Sequence, residues 1–217
     1  MSTFHPRENP KSNRIEAMWY QSWQSGYDDI LKRGFPKPED ERTILAELRS
    51  PHTDDFLHGG SAEVPFLVSD RARQAFESAE LSGFDFGSVM VAKIATKGVR
   101  VRRSLSGEPE DTILKSGGVD LDLAPLLHAV RVTASIEVIP DFESGRTPSG
   151  WVSPFRLPDV TPEFDLWQPS LRGKRFTAWT YCSALFCEAC EEFGLSNIRF
   201  EPFEDFMARF RADLEKR

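Results

Sequence analysis

Small and apolar side chains at Ala72, Ala75, Phe76 and Ala79 fall at i, i+3, i+4 and i+7, and Phe186, Ala189, Cys190 and Phe193 repeat the same offsets. That spacing places each set on one stripe of an α-helix. A serine precedes each helix, Ser69 and Ser183. A serine oxygen in that place accepts an otherwise unpaired amide of the first turn. Strand-like runs come before both serines, "VPFLV" at Val64–Val68 and "RFTAWTY" at Arg175–Tyr181. Gly83 and the stretch Gly194–Asn197 follow the helices, and such residues tolerate the left-handed backbone that ends a helix. Phe84 and Phe86, or Ile198 and Phe200, then alternate as strand residues do. Both stretches spell strand, cap, helix, turn, strand.

Laid side by side without a gap, residues 69–86 and 183–200 agree at Ser69/Ser183, Ala75/Ala189, Glu77/Glu191, Leu81/Leu195, Ser82/Ser196 and Phe86/Phe200. The repeated rhythm predicts two related β-α-β units, at 55–103 and 165–217. Between them, Ser88–Arg103 alternates as one long strand or as a hairpin bent near Lys97–Gly98, and Val130–Phe142 reads as another strand. "FEDFMARFRADLEKR" predicts a C-terminal helix with Phe203, Phe206, Met207, Phe210 and Leu214 on its packing face. Nearer the N-terminus, Asn13 and Glu16 have capping-box spacing, and Ile15, Met18, Trp19 and Trp23 share one side, which predicts a helix. A short second helix is expected from Pro38 through Leu45 to Leu48. The fold class expected is α+β: a mixed or antiparallel sheet with packed helices and a C-terminal amphipathic helix. No low-complexity tract or long linker divides residues 1–217, so a single domain is expected.

Size and composition fit that picture. A chain of 217 residues buries roughly 70% of its unfolded surface, enough to hold a core without disulfides or metal. The 17 Phe and 5 Trp supply bulky core material. No apolar run reaches the roughly 20 residues needed to cross a bilayer, and "MSTFHPRENPKSNR" lacks the apolar stretch of a secretory signal. Three cysteines do not make an extracellular disulfide framework, so a reduced, cytoplasmic protein is expected, with no membrane partner. The net charge of −7 argues against nucleic acid as a partner and suits either solubility or a basic protein. Self-association through the aromatic surplus, as a homodimer, is compatible with the same composition.

Candidate chemistry is sparse. Cys187-Glu-Ala-Cys190 is a CxxC, but Cys187 falls about one turn into its helix, where the N-terminal dipole no longer favours a thiolate. Cys182 adds a third thiol, with no second pair to complete a zinc site. A structural role is the expectation; the alternative is a small redox or metal-binding protein using Cys187 and Cys190. His52 and His58 flank Asp54 and Asp55, Asp120 to Pro125 reads "DLDLAP", and Lys97, Arg100, Arg102 and Arg103 form a basic run. Each reads more simply as loop or solvated surface than as a metal, acid/base or anion site. No GxSxG, Walker loop, HExxH or GxGxxG occurs. No catalytic residue, cofactor or metal is therefore assigned.

"DDFLHGG" followed by "FLVSDRARQAFESAELSGFDFGSV" resembles a broad group of bacterial immunity proteins from polymorphic and contact-dependent toxin systems, which includes a subgroup named for a double CxxCG motif. "FDLWQPSLRGKRFTAWTYCSALFCEACEEFGLSNIRFEPF" resembles the same phrase again. Together the two cover under half of the chain, and their matches are mostly Ser, Leu, Gly and Phe. The chain departs from the double-CxxCG subgroup, because its one CxxC is followed by Glu191 and has no mate. The resemblance implies a non-catalytic cytoplasmic protein that binds a cognate protein toxin; it transfers no zinc role and no interface residues. A general interaction or scaffold domain is the remaining alternative.

Overall fold

The computed structural model describes residues 15–20, 30–34, 43–48, 53–59, 64–94, 124–141, 154–158, 162–175 and 179–216. It is an α+β fold. One six-stranded sheet runs β2 (Ile30–Gly34), β3 (Ile44–Leu48), β6 (Phe84–Ile94), β7 (Leu127–Val132), β5 (Phe66–Ser69), β4 (Phe56–His58). It is antiparallel except for the β3–β6 pair. The second runs β12 (Lys174–Arg175), β11 (Leu166–Leu171), β13 (Tyr181–Ser183), β1 (Ile15–Tyr20), β14 (Ile198–Pro202), with β8 (Ser135–Glu137) parallel to β11. A separate ladder joins β9 (Ile139–Pro140) to β10 (Phe155–Arg156). The helices are α1 (Asp70–Ser78), α2 (Ala184–Glu192) and α3 (Phe203–Glu215).

The two expected caps form. Ser69 Oγ accepts from the Ala72 amide at 3.1 Å, and Ser183 Oγ accepts from the Phe186 amide at 3.2 Å. The exits match as well. After α1 the amides of Glu80 and Leu81 donate to the carbonyls of Glu77 and Phe76; after α2 those of Gly194 and Leu195 donate to Glu191 and Cys190. This is the Schellman arrangement, in which one residue past the cap takes a left-handed conformation. Glu80 has φ 52° and its counterpart Gly194 has φ 59°. Glu80→Gly should therefore stabilise the protein by about 1 kcal/mol, because a Cβ is penalised in that region. A rise in thermal midpoint of roughly 3 °C would register it.

The relation between the halves extends to strand register. In the first sheet β7 lies between β5 and β6, with Ser69 opposite Leu127, Phe84 opposite Val132 and Ser88 opposite His128. In the second, β1 lies between β13 and β14, with Ser183 opposite Ile15, Ile198 opposite Tyr20 and Pro202 opposite Glu16. The outer pairs agree too: Phe56 faces Val68 as Leu166 faces Cys182. The order β6-β7-β5-β4 thus repeats as β14-β1-β13-β11. In the first unit the strand in the second slot follows the helix, whereas in the second unit it comes from the beginning of the chain.

Alternation along the strands sorts side chains into three cores. Phe56, Phe66, Val68, Val130 and Val132 join Ala72, Ala75 and Phe76 of α1 and Phe186 and Cys190 of α2, together with Leu166 and Cys182. The neighbouring residues Leu57, Leu67, Leu127 and Ala129 enter a second cluster with Ile44, Ala46 and Leu48. Trp167 and Tyr181 turn the other way, against Phe155, Phe203, Phe206 and Met207, which buries α3 on the far face of the second sheet.

Several expectations need correction. Residues 15–20 form β1, not a helix: Ile, Trp and Tyr suit a pleated surface, and two flanking strands supply ladder partners. Ile44–Leu48 is likewise strand β3, held by β2 and β6, while residues 35–42 lie outside the described set. The strand before α2 begins at Tyr181, two residues before its capping serine. Val130–Phe142 is not one strand, because the amides of Thr133 and Ala134 turn to the Gly83 carbonyl and break the ladder. Phe193, expected in the packing stripe, is the C-cap of α2 and is exposed. The basic run at Lys97–Arg103 and the aspartates of "DLDLAP" lie outside the described residues.

Candidate functional site

The titratable groups divide into those that join the two units and those that face solvent. Asp55 stands just before β4 and is 6% exposed. Its carboxylate accepts from Ser69 Oγ (2.6 Å), the Arg71 guanidinium, and the amide and hydroxyl of Ser196 in the other unit (2.9 and 3.1 Å). Asp165 stands just before β11 and does the converse, accepting from Ser183 Oγ (2.7 Å) and from the amide and hydroxyl of Ser82 (3.0 and 2.9 Å). Each aspartate ties the start of its own helix to the turn after the other helix, so α1 and α2 run antiparallel. Burial works against the Asp55 charge, but Arg71, Ser69 and Ser196 outweigh it and hold the carboxyl below its ordinary range. Of the sequence-predicted group His52, Asp54, Asp55 and His58, Asp55 supplies an inter-unit clasp, His58 ends β4, and His52 lies outside the described residues.

Gly83 belongs to the same seam. Its φ is 95°, and a Cβ there would stand 2.1 Å from the Leu166 carbonyl oxygen. Arg71 completes the join by donating to the carbonyls of Phe193 (3.2 Å) and Gly194 (3.1 Å), the free end of α2. A guanidinium at a helix C-terminus is favoured by the dipole.

Of the reactive side chains, His128 is engaged and Cys190 enclosed, whereas Cys187 is half-buried. His128 lies 3.1 Å, through Nε2, from Asp70 Oδ1 at the first position of α1, a contact that fastens β7 to the helix. Cys190 is 2% exposed, and burial, followed by the charges of Cys187, Glu191 and Asp55, raises its thiol far above the usual value. Cys187 is half-buried, and its sulfur lies 3.6 Å from that of Cys182. Among the described residues no three His, Cys, Asp or Glu side chains group as metal ligands would. A cleft of about 640 Å³ lies between β10 and α3, lined by Asp141, Phe155, Arg156, Phe203, Glu204 and Arg211. Its two cations face two anions, and Arg211 is engaged by Asp141 at 3.0 Å.

The solvent face of α1 and α2 has a different character. Packing the helices side by side, with Phe76 and Phe186 rings 4.8 Å apart beneath, leaves Glu77, Glu80, Glu188, Glu191 and Glu192 exposed. Leu185, 38% exposed, and Phe193, 37% exposed, stand among these acids. Leu185 occupies the place in α2 that Arg71 holds in α1, so the exchange of an exposed cation that bridges the units for an exposed apolar side chain breaks the internal symmetry here. Sequence reasoning placed Phe193 in the core and did not single out Leu185. Of the paired cysteines, it assigned the CxxC spacing and missed the closer contact to Cys182.

Comparison with known proteins returns no matching family model and no match among curated proteins. Among the described residues no helix is long and apolar enough to cross a membrane.

Proposed function

We propose that this chain is a non-catalytic immunity-type protein, which binds and neutralises a cognate bacterial protein toxin through the outer face of α1 and α2. The observation that carries the reading is the exposure of Leu185 and Phe193 on a pair of helices that also exposes Glu77, Glu80, Glu188, Glu191 and Glu192, of which Glu77 is paired with Arg73 at 2.8 Å. Exposed apolar side chains of this size act as anchors when a partner desolvates them, and surrounding like charges select a partner of opposite sign. The net charge of −7 acts in the same sense over longer range. A basic toxin surface of about 800 Å² would cover the face.

Co-expression with the toxin encoded beside this chain tests the proposal. The chain should restore growth and should co-elute with the toxin as a defined complex in size exclusion with light scattering. Glu188→Lys with Glu192→Lys should slow association roughly ten-fold at low salt, with the difference shrinking as ionic strength rises. Leu185→Ala with Phe193→Ala should instead quicken dissociation. Growth arrest that persists with both proteins expressed would overturn the reading, and a complex without protection would point to a general interaction domain.

A further inference from the structure

We propose that Cys182 and Cys187 form a reversible disulfide when the protein meets a hydroperoxide, with Cys190 left as a thiol. The inference rests on placement. Cys182 immediately precedes the capping Ser183, and Cys187 is the fourth residue of α2, so the two flank the helix start as a hydrophobic staple pair does. Their sulfurs lie 3.6 Å apart. Closure to the disulfide length of about 2.04 Å brings the two sulfurs roughly 1.6 Å nearer. The corresponding pair in the other unit is Val68 and Arg73, so neither thiol is required by the architecture that the units share.

Exposure assigns the order of events. Cys187 is half-buried whereas Cys182 and Cys190 are buried, so the oxidant meets Cys187 first. The Cys187 thiol loses its proton and the sulfur attacks one peroxide oxygen; the O–O bond breaks, leaving a sulfenic acid on Cys187, and the departing alkoxide or hydroxide takes up that proton and leaves as an alcohol or water. The Cys182 sulfur then attacks the Cys187 sulfur, the S–S bond forms, and the S–O bond breaks as hydroxide takes up the Cys182 proton and leaves as water. Two thiols are oxidised by two electrons and the peroxide is reduced. A small dithiol reverses the change by thiol–disulfide exchange. Cys190 is the competing resolver on spacing, but it is the Cys182 sulfur that lies 3.6 Å from that of Cys187.

The test treats the full chain with hydrogen peroxide or a small alkyl hydroperoxide, alkylates remaining thiols under denaturing conditions and maps the linkage by peptide mass spectrometry. The expected result is loss of two hydrogens from the intact mass, a Cys182–Cys187 crosslinked peptide, one alkylated cysteine at 190, and full reversal by dithiothreitol. Cys190→Ser should leave the yield unchanged. Cys182→Ser should abolish the crosslink and carry Cys187 to higher acids. A Cys187–Cys190 linkage, a crosslink between chains, or three alkylated cysteines after excess peroxide would each overturn the assignment. Circular dichroism of each variant before treatment confirms that the fold is retained, so a lost crosslink reports chemistry.

Discussion

Phe76→Ala should lower folding stability by about 4 kcal/mol, the middle of the range for an aromatic removed from a closed core. Phe76 is 1% exposed, and its ring lies 5.9 Å from Phe56, 5.7 Å from Phe84, 6.5 Å from Phe86 and 4.8 Å from Phe186. These partners come from both units: Phe56, Phe84 and Phe86 belong to the first sheet, while Phe186 belongs to α2. Truncation therefore opens a cavity where the two halves meet, and relaxation to fill it would have to move a helix of each. The internal relation sharpens the argument. Phe76 corresponds to Cys190, and Ala72 corresponds to Phe186, so each helix places one large and one small side chain at opposite ends of the shared contact. Alanine at 76 removes half of that complementarity. A thermal midpoint lower by roughly 12 °C is the expected readout for a chain of this length. Phe210→Ala makes the control: that ring is half-buried on α3, against Trp179 at 4.7 Å and Phe206 at 6.1 Å, and its loss should cost well under half as much. Equal losses at the two positions would contradict the central place given to Phe76.

The elements legible in the sequence were those whose determinants are local. Ser69 and Ser183 cap helices because side-chain oxygen and amide lie three residues apart, and the apolar face of α3 is set by its own spacing. β1 was not legible in this way. Ile15, Met18 and Trp19 fit a helical stripe as well as a strand, and the choice is made by β13 and β14, more than 150 residues away. The internal repeat was only half visible for a related reason. An ungapped alignment captures Ser82 and Ser196 but not the aspartates they bind, because 14 residues separate Asp55 from Ser69 and 18 separate Asp165 from Ser183. The β11–β12 hairpin, turned at Arg172 and Gly173, occupies the longer interval. No linear comparison could match β7 with β1, since one follows its unit and the other lies at the opposite end of the chain. The exposed face of α2 was hidden because Phe193 sits at packing spacing and yet, as the C-cap residue, is 37% exposed.

Asp55→Asn should cost about 3 kcal/mol at neutral pH, since it exchanges a buried, multiply hydrogen-bonded carboxylate for an amide whose own N–H groups face donors. Its side chain is 8% exposed and is held by Arg71, Ser69 and Ser196 together; the Arg71 side chain is 55% exposed, so solvent screens that part of the pair. The cost should depend on pH with a definite sign. The folded-state carboxyl is held below its ordinary value, so the folded protein keeps the charge to lower pH than the unfolded chain does. The resulting stability is complete above the unfolded value of about 3.9 and fades as pH falls through the lowered folded value. Native and Asp55→Asn proteins should accordingly differ most at pH 7 and converge as pH falls through the lowered folded value, below which both carry a neutral group at position 55. Denaturant midpoints across that interval measure the gap directly. A gap that stayed constant from neutral to acid pH would mean that the charge of Asp55 adds nothing to the join between the units, and that shape alone holds Ser69 and Ser196 in place.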